Sequence, residues 1–221
     1  MKVRSLIVPA LLMAAVPAWA HCGKCGVGGK KDGHAGHDHA AHAQADAHAE
    51  LGSPAPDFTL TALDGKEYKL SELKGKVVVL EWINHECPVV NRYHDANATM
   101  EVFAKFKDKP VVWLAIDSSH FCQDKADSIR TWVKRQKIDY PILLDAPGKV
   151  GHTFGAKTTP HFFVIDAKGT LAYAGSFDDD RYGKNESKRL YVQEAVSALL
   201  QGSAVPMAST KPFGCGVKYK K

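Results

Sequence analysis

The sequence predicts an α/β domain: a mixed central sheet with helices on both faces, preceded by a β-hairpin. Three observations carry this. Two continuous apolar runs, "KVVVLEWI" at 76–83 and "PVVWLAID" at 110–117, have the composition of parallel strands buried on both sides. Apolar residues at helical spacing follow each run. Short alternating segments broken by Asp64-Gly65 and by Ala167-Lys168-Gly169 supply hairpin turns.

Taken in order, "DFTLTALDGKEYKL" (57–70) alternates about Asp64-Gly65 and predicts the hairpin, and "SELKG" predicts a short helical turn. After the first buried strand, Val89, Tyr93, Ala96, Met100 and Phe103 recur at steps of four and three, so one helix with one apolar face is expected there. After the second strand, residues 124–135 predict a helix with Ala126, Ile129 and Val133 inward. "PILLD" is a short extended segment, "TPHFFVID" and "TLAYAG" flank the turn "AKG", and residues 186–200 predict a last helix burying Tyr191, Ala195, Val196 and Leu199. The order ββ, βαβα, β, ββα requires a mixed sheet. The domain is expected to span 57–202, with a tail at 203–221 carrying Cys215, and no internal repeat is visible.

The N-terminus sets the compartment. Lys2 and Arg4, the apolar "LIVPALLMAAV" and the small-x-small Ala18-Trp19-Ala20 form a secretory signal peptide over residues 1–20, cleaved after Ala20. His21, not a small residue, precedes Cys22, against a lipoprotein, and no later stretch reaches the ~18 apolar residues of a membrane span. A soluble periplasmic or secreted product is expected. Removing Lys2 and Arg4 from a chain of net charge +5 leaves +3, too mild a balance for nucleic acid. Five cysteines in an oxidising compartment allow two disulfides and one thiol.

Residues 21–56 are Gly, Ala, His and charged residues with almost nothing large and apolar, a composition expected to form a flexible leader. Cys22-x-x-Cys25 with His34, His37, His39, His42 and His48 offers thiolates and imidazoles suited to Cu or Zn. A solubilising linker with a local disulfide is the alternative. His152 and His161 read as ordinary fold residues, and Lys218, Lys220 and Lys221 as a solvated end.

Cys87 lies where the first buried strand gives way to a helix, with Pro88 at a favoured first helical position. Unpaired N–H groups and the positive end of the helix dipole there favour thiolate. At an ordinary pKa of ~8.5 only a few per cent of a thiol is ionised at neutral pH, whereas a fall of ~2 units makes most of it nucleophilic. His85, Arg92 and His94 could add positive charge, while Glu86 opposes. A redox nucleophile at Cys87 needs a second thiol to release its oxidised form, and outside the leader the sequence offers Cys122 and Cys215. Cys122 sits in "DSSHFCQ", after the strand expected to neighbour that of Cys87; Cys215 sits in "STKPFGCGVKY", whose Phe213, Val217 and Tyr219 are unusual in a free polar tail.

Four pieces in this order, "GSPAPDFTL", "LKGKVVVLEW" leading to Cys87, "TTPHFFVID" and "TLAYAG", resemble the thioredoxin-fold redoxins, the group joining alkyl hydroperoxide reductase and thiol-specific antioxidant peroxiredoxins to exported thiol-disulfide reductases. The resemblance covers residues 52–201 and implies a thioredoxin-like fold with Thr159-Pro160 as a cis peptide beside the active thiol. It also implies a thiol-dependent oxidoreductase needing no organic cofactor, acting on a peroxide or a protein disulfide and re-reduced by an external thiol donor. Similar tails accompany the Cys-Pro motif in such redoxins, which favours Cys215 as partner of Cys87. Two departures matter. Val90 stands where exported reductases place a second cysteine, and Leu80 and Asn84 stand where peroxiredoxins place proline and a hydroxyl residue. Asn84 could still hydrogen-bond a peroxide oxygen. A disulfide reductase or isomerase, and a copper-handling module built on the leader, are the rival expectations.

Overall fold

The computed structural model describes residues 48–221. Its centre is a five-stranded sheet built from β3 (Val77–Trp82), β4 (Val111–Asp117), β5 (Ile142–Leu144), β7 (His161–Ile165) and β8 (Leu171–Gly175), in the order β5-β4-β3-β7-β8. β3 pairs parallel with β4 and antiparallel with β7, so the sheet is mixed, as expected. Before it, β1 (Thr59–Thr61) and β2 (Glu67–Lys69) pair antiparallel, and a 3₁₀ turn at Leu70–Leu73 follows.

All six residues of β3 are buried, which explains an apolar run interrupted only by Glu81, whose carboxylate accepts from Trp113 and Tyr140. Alternate residues serve two cores. Val77 and Val79 face Trp113, Ala115, Phe162 and Val164, while Val78, Leu80 and Trp82 face Leu114, Ile116, Phe163 and Ile165. The first core is covered by α1 (Pro88–Asp95), α2 (Ala98–Ala104), α3 (Ala126–Gln136) and α5 (Tyr191–Leu200); the second by α4 (Lys149–Phe154) and the hairpin region through Phe58, Ala62 and Leu70. Both sheet edges are covered as well. Ala62 bridges Leu143 on β5, while Pro54 bridges Thr170 and Ser209 bridges Ala174 along β8.

Several boundaries differ from expectation. The single helix expected after Cys87 is two, because Asn97 takes a left-handed conformation (φ 56°) that asparagine tolerates better than most residues. The break leaves Ala96 exposed and turns Val90, Tyr93 and Val102 into the core. In α3, Ile129 and Trp132 are buried, while Ala126 and Val133 are half-buried. The last helix begins at Tyr191 rather than 186, since Asp179 and Arg189 exchange hydrogen bonds that keep the preceding loop folded on itself. Its buried residues are Val192, Ala195, Val196 and Ala198. The six-residue α4, set between the left-handed Gly148 and Gly155, left no periodic signal. Ordered contacts begin before the Pro54/Pro56 pair: Ala49 N–H donates to Thr153 and Gly52 N–H to Leu171.

Residues 158–166 form not one strand but two, β6 (Thr158–Thr159) and β7, separated by Pro160. β6 pairs with β9 (Cys215–Gly216), which brings the C-terminal segment back onto the domain.

Phe162 is fully buried, with its ring centroid 5.3 Å from that of Phe177 and 6.1 Å from that of Trp113. Phe162→Ala is expected to cost about 3–5 kcal/mol in urea unfolding. A loss below about 1 kcal/mol would show that this face of the sheet does not hold the core.

Candidate active site

β3 carries the chain to the carboxyl edge of the sheet, where residues 83–86 turn into α1. Asn84 sets this turn. Its carbonyl accepts the Cys87 N–H at 2.9 Å, its Oδ1 accepts the Glu86 N–H at 2.7 Å and its Nδ2 donates to Ser119 Oγ at 2.8 Å. Cys87 thereby becomes the N-cap of α1, with Pro88 at the first helical position.

The Cys87 side chain is only 3% exposed. Burial pushes its thiol up, but hydrogen bonds from the Thr159 side chain, the Cys215 thiol and the backbone N–H groups of Val90 and Cys215 outweigh burial, and the net shift is downward. When protonated, Sγ donates to the Thr159 carbonyl at 3.0 Å, a contact that favours the neutral thiol and is outnumbered. Val90, which occupies the place of a second motif cysteine, thus contributes its backbone N–H.

Cys215 reaches this sulfur through the ladder between β6 and β9, in which Thr159 faces Cys215 and Thr158 faces Gly216. Thr159–Pro160 is a cis peptide. Gly214 makes the approach possible: its φ is +148°, and a Cβ there would collide with the Thr159 carbonyl oxygen. The half-buried Cys215 thiol is pushed up, by burial first and then by the hydrogen bond and charge of Cys87, against a smaller opposing effect of Lys218. The two sulfurs therefore have opposite tendencies: Cys87 toward thiolate, Cys215 toward the thiol that donates to it.

Of the other residues singled out in the sequence, Thr159 and Pro160 lie beside Cys87, and Asn84 shapes the loop that presents it with its amide already engaged by Glu86 and Ser119. Arg92 does not serve the thiol. Its guanidinium donates to the carbonyls of Asp180 and Arg181 and lies over the Tyr93 ring. His94 is buried 3.5 Å from Glu81, itself held by Trp113 and Tyr140. Cys122 is fully buried, and burial followed by the Asp117 and Asp145 carboxylates pushes its thiol up to about 12, which leaves it unreactive. Cys22, Cys25, His34, His37, His39 and His42 lie outside the described residues, among which no group of three or more His, Cys, Asp or Glu side chains is placed to hold a metal.

Residues 51–174, more than half of the chain, match the AhpC/TSA family. The chain belongs to that family. Thiol-disulfide oxidoreductase ResA of Bacillus thuringiensis subsp. konkukian (strain 97-27) is 31% identical over 123 residues, 55% of this chain and 67% of that protein. Peroxiredoxin-2 of Cricetulus griseus is 29% identical over 187 residues, 79% of this chain and 92% of that protein. The crystal structure of an uncharacterized conserved protein from Geobacillus kaustophilus superposes with a TM-score of 0.69 at 28% identity, covering 77% of this chain and 93% of that one. The protein is a thiol-dependent oxidoreductase with a thioredoxin-like fold.

Near Cys122, at the ends of β4 and β5, lies a buried acidic cluster. Asp117 Oδ1 accepts the Ser119 N–H at 2.8 Å, and Asp145 Oδ2 accepts from Ser118 at 2.7 Å and from the Gly151 N–H at 2.9 Å. Asp117 Oδ2 is buried without a hydrogen-bond partner. Burial, opposed by the Ser119 hydrogen bonds, raises the Asp117 carboxyl to about 6. Its unfolded value is ~3.9, so the folded state holds the proton more tightly. Stability therefore falls as pH rises through that interval, and the deficit is complete above about 6. His161, pushed down to about 4 by burial, has the opposite slope between there and ~6.5. Asp117→Asn should isolate the first effect. Its gain in thermal midpoint over the wild type is expected to be small at pH 4, to widen up to about pH 6 and to level off above. A pH-independent difference would contradict the assignment.

Proposed function

We propose that the protein is an exported peroxide reductase in which the Cys87 thiolate is the nucleophile, Cys215 the resolving thiol and an external thiol the electron donor. The observation that carries this reading is the pairing of Cys215 with Thr159, the residue whose carbonyl lies 3.0 Å from the Cys87 sulfur, together with the opposed proton affinities of the two thiols. The Cys87 thiolate attacks the distal peroxide oxygen and the O–O bond breaks. Two electrons pass from sulfur to the peroxide, the alkoxide or hydroxide leaves and takes a solvent proton, and Cys87 becomes a sulfenic acid. Its negative charge is then gone, and with it the hydrogen bond and repulsion that held the proton on Cys215. The Cys215 thiolate, favoured by Lys218, attacks the Cys87 sulfur, and hydroxide departs as water as the disulfide forms.

Re-reduction begins most readily at Cys215, the more exposed sulfur, because its attack expels Cys87 as a stabilised thiolate. A second donor thiol then frees Cys215.

Burial of Cys87 beneath the tail supports a small oxidant, and the likeness to a peroxiredoxin along most of that protein's length points the same way. The likeness to a thiol-disulfide oxidoreductase, together with the accessible Cys215, supports the second reading, exchange with a disulfide substrate. Hydrogen peroxide consumption measured beside insulin reduction separates them. The peroxide reading expects rapid consumption and slow insulin reduction; the reverse ranking would replace it. At pH 6.5, alkylation of the reduced protein should label Cys87 far faster than Cys122, and Cys87→Ser should abolish turnover while leaving the fold intact.

Export rests on the signal-like residues 1–20, and among the described residues no helix is long and apolar enough to cross a membrane. The Cys- and His-bearing leader has ligand types that suit Cu or Zn. Deleting residues 21–47 should remove most metal binding while leaving turnover and thermal midpoint nearly unchanged, because a segment of this composition contributes no apolar core. Undiminished metal affinity after the deletion would move the metal site into the domain.

A further inference from the structure

The ladder that brings Cys215 to Cys87 is two residues long, too short to fix a chain segment by itself. Stronger anchors lie on each side of it. Upstream, Thr210 Oγ1 accepts the Ser176 N–H at 2.9 Å and lies 2.7 Å from the Tyr173 hydroxyl and 3.1 Å from Ser176 Oγ. Thr210 N–H donates to the Ala174 carbonyl at 3.2 Å. This side chain fits only because residue 175 is glycine: a Cβ there would collide with Thr210 Oγ1 and lie 2.8 Å from the Thr210 backbone N and O.

Downstream, the Tyr219 ring stacks on His152 with centroids 3.9 Å apart, and its hydroxyl donates to the Ala156 carbonyl at 2.8 Å. It fills a notch left by two glycines. A Cβ on Gly148 would come within 2.7 Å of the ring, and one on Gly151 within 2.7 Å of both the ring and Ser118 Oγ. His120 N–H to the Lys218 carbonyl at 2.9 Å closes the same anchor.

We infer that Thr210 and Tyr219 are positioning residues for the resolving step: they clamp the segment between them so that Cys215 is held against Cys87. This rests on the reading of Cys215 as the resolving thiol. Neither side chain is among the groups that act on either sulfur. Their effect is geometric, since a disulfide needs Cα atoms about 4.4–6.8 Å apart and a displacement of a few ångströms prevents closure.

The test is single-turnover oxidation of the full mature chain by hydrogen peroxide, following Cys87 oxidation and disulfide closure separately. At a pH above the Cys87 midpoint of every variant, Thr210→Val and Tyr219→Phe are expected to keep the first step within about twofold and to slow closure by about tenfold or more, the rate equivalent of a lost hydrogen bond. Sulfenic acid should accumulate and be trapped by dimedone, and Thr210→Ser should restore closure. In the reduced Thr210→Val protein, the pH midpoint of Cys87 alkylation should also rise, because the Cys215 donors retreat. A purely structural role would lower the thermal midpoint without separating the two steps. Normal closure in both variants, or equal slowing of both steps, overturns the inference. Tyr219→Phe, which removes one oxygen and keeps the ring, carries the test if Thr210→Val does not fold. Cys215→Ser run in parallel separates the premises: without sulfenic acid there, the resolving role fails and this inference with it. Sulfenic acid there, with normal closure in the Thr210 and Tyr219 variants, overturns the clamp alone.

Discussion

The antiparallel pairing of Thr159 with Cys215 is the contact on which the rest of the site depends. It brings a segment more than fifty residues away in sequence onto the sulfur of Cys87, and it supplies both a thiol and a backbone N–H to that sulfur. A buried thiol would ordinarily resist ionisation; here the donors around it reverse the balance. The same pairing makes Cys215 the thiol that keeps its proton while Cys87 is reduced. One short ladder therefore sets the opposed proton affinities of the two sulfurs.

That ladder can form because the sheet beneath it is rigid. β3 is buried along its whole length between two apolar layers, so the turn at residues 83–86 starts from a fixed point. Asn84 then uses its carbonyl, Oδ1 and Nδ2 to shape the turn and tie it to Ser119, which stands at the end of the neighbouring strand. The C-terminal segment also covers the β8 edge through Ser209, so it serves the sheet as well as the site.

The buried acids at the ends of β4 and β5 illustrate the opposite electrostatic outcome from Cys87. Asp117 and Cys122 are both driven toward their neutral forms, because burial and neighbouring carboxylates dominate there. Two cysteines of one domain thus differ in proton affinity through the balance of burial, carboxylates and hydrogen-bond donors around each. Cys122 lies after the strand adjacent to that of Cys87, as the sequence suggested, yet its backbone donors, from Asp145 and Gln123, are outweighed by burial and the carboxylates. Arg92 and His94, which sequence proximity made attractive as activators, are committed to a loop and to the neighbourhood of Glu81.

The sequence by itself determined the α/β class, the two central buried strands, the placement of Cys87 before Pro88 at a helix start, and the glycines flanking Cys215. These features are local: apolar periodicity, proline geometry and glycine freedom are written in neighbouring residues. It could not determine that the helix after Cys87 breaks at Asn97, that α4 exists, or that Val90 and Thr159 favour ionisation of Cys87. Those outcomes depend on backbone groups and on residues distant in sequence. Nor could it choose between Cys122 and Cys215 without the family resemblance, since both are single thiols in polar loops. Tertiary structure decided which of the two lies beside Thr159 and Cys87: it is Cys215, because three glycines, Gly175, Gly214 and Gly151, leave room for Thr210, the Thr159 carbonyl and Tyr219, and so let the tail close over the sheet.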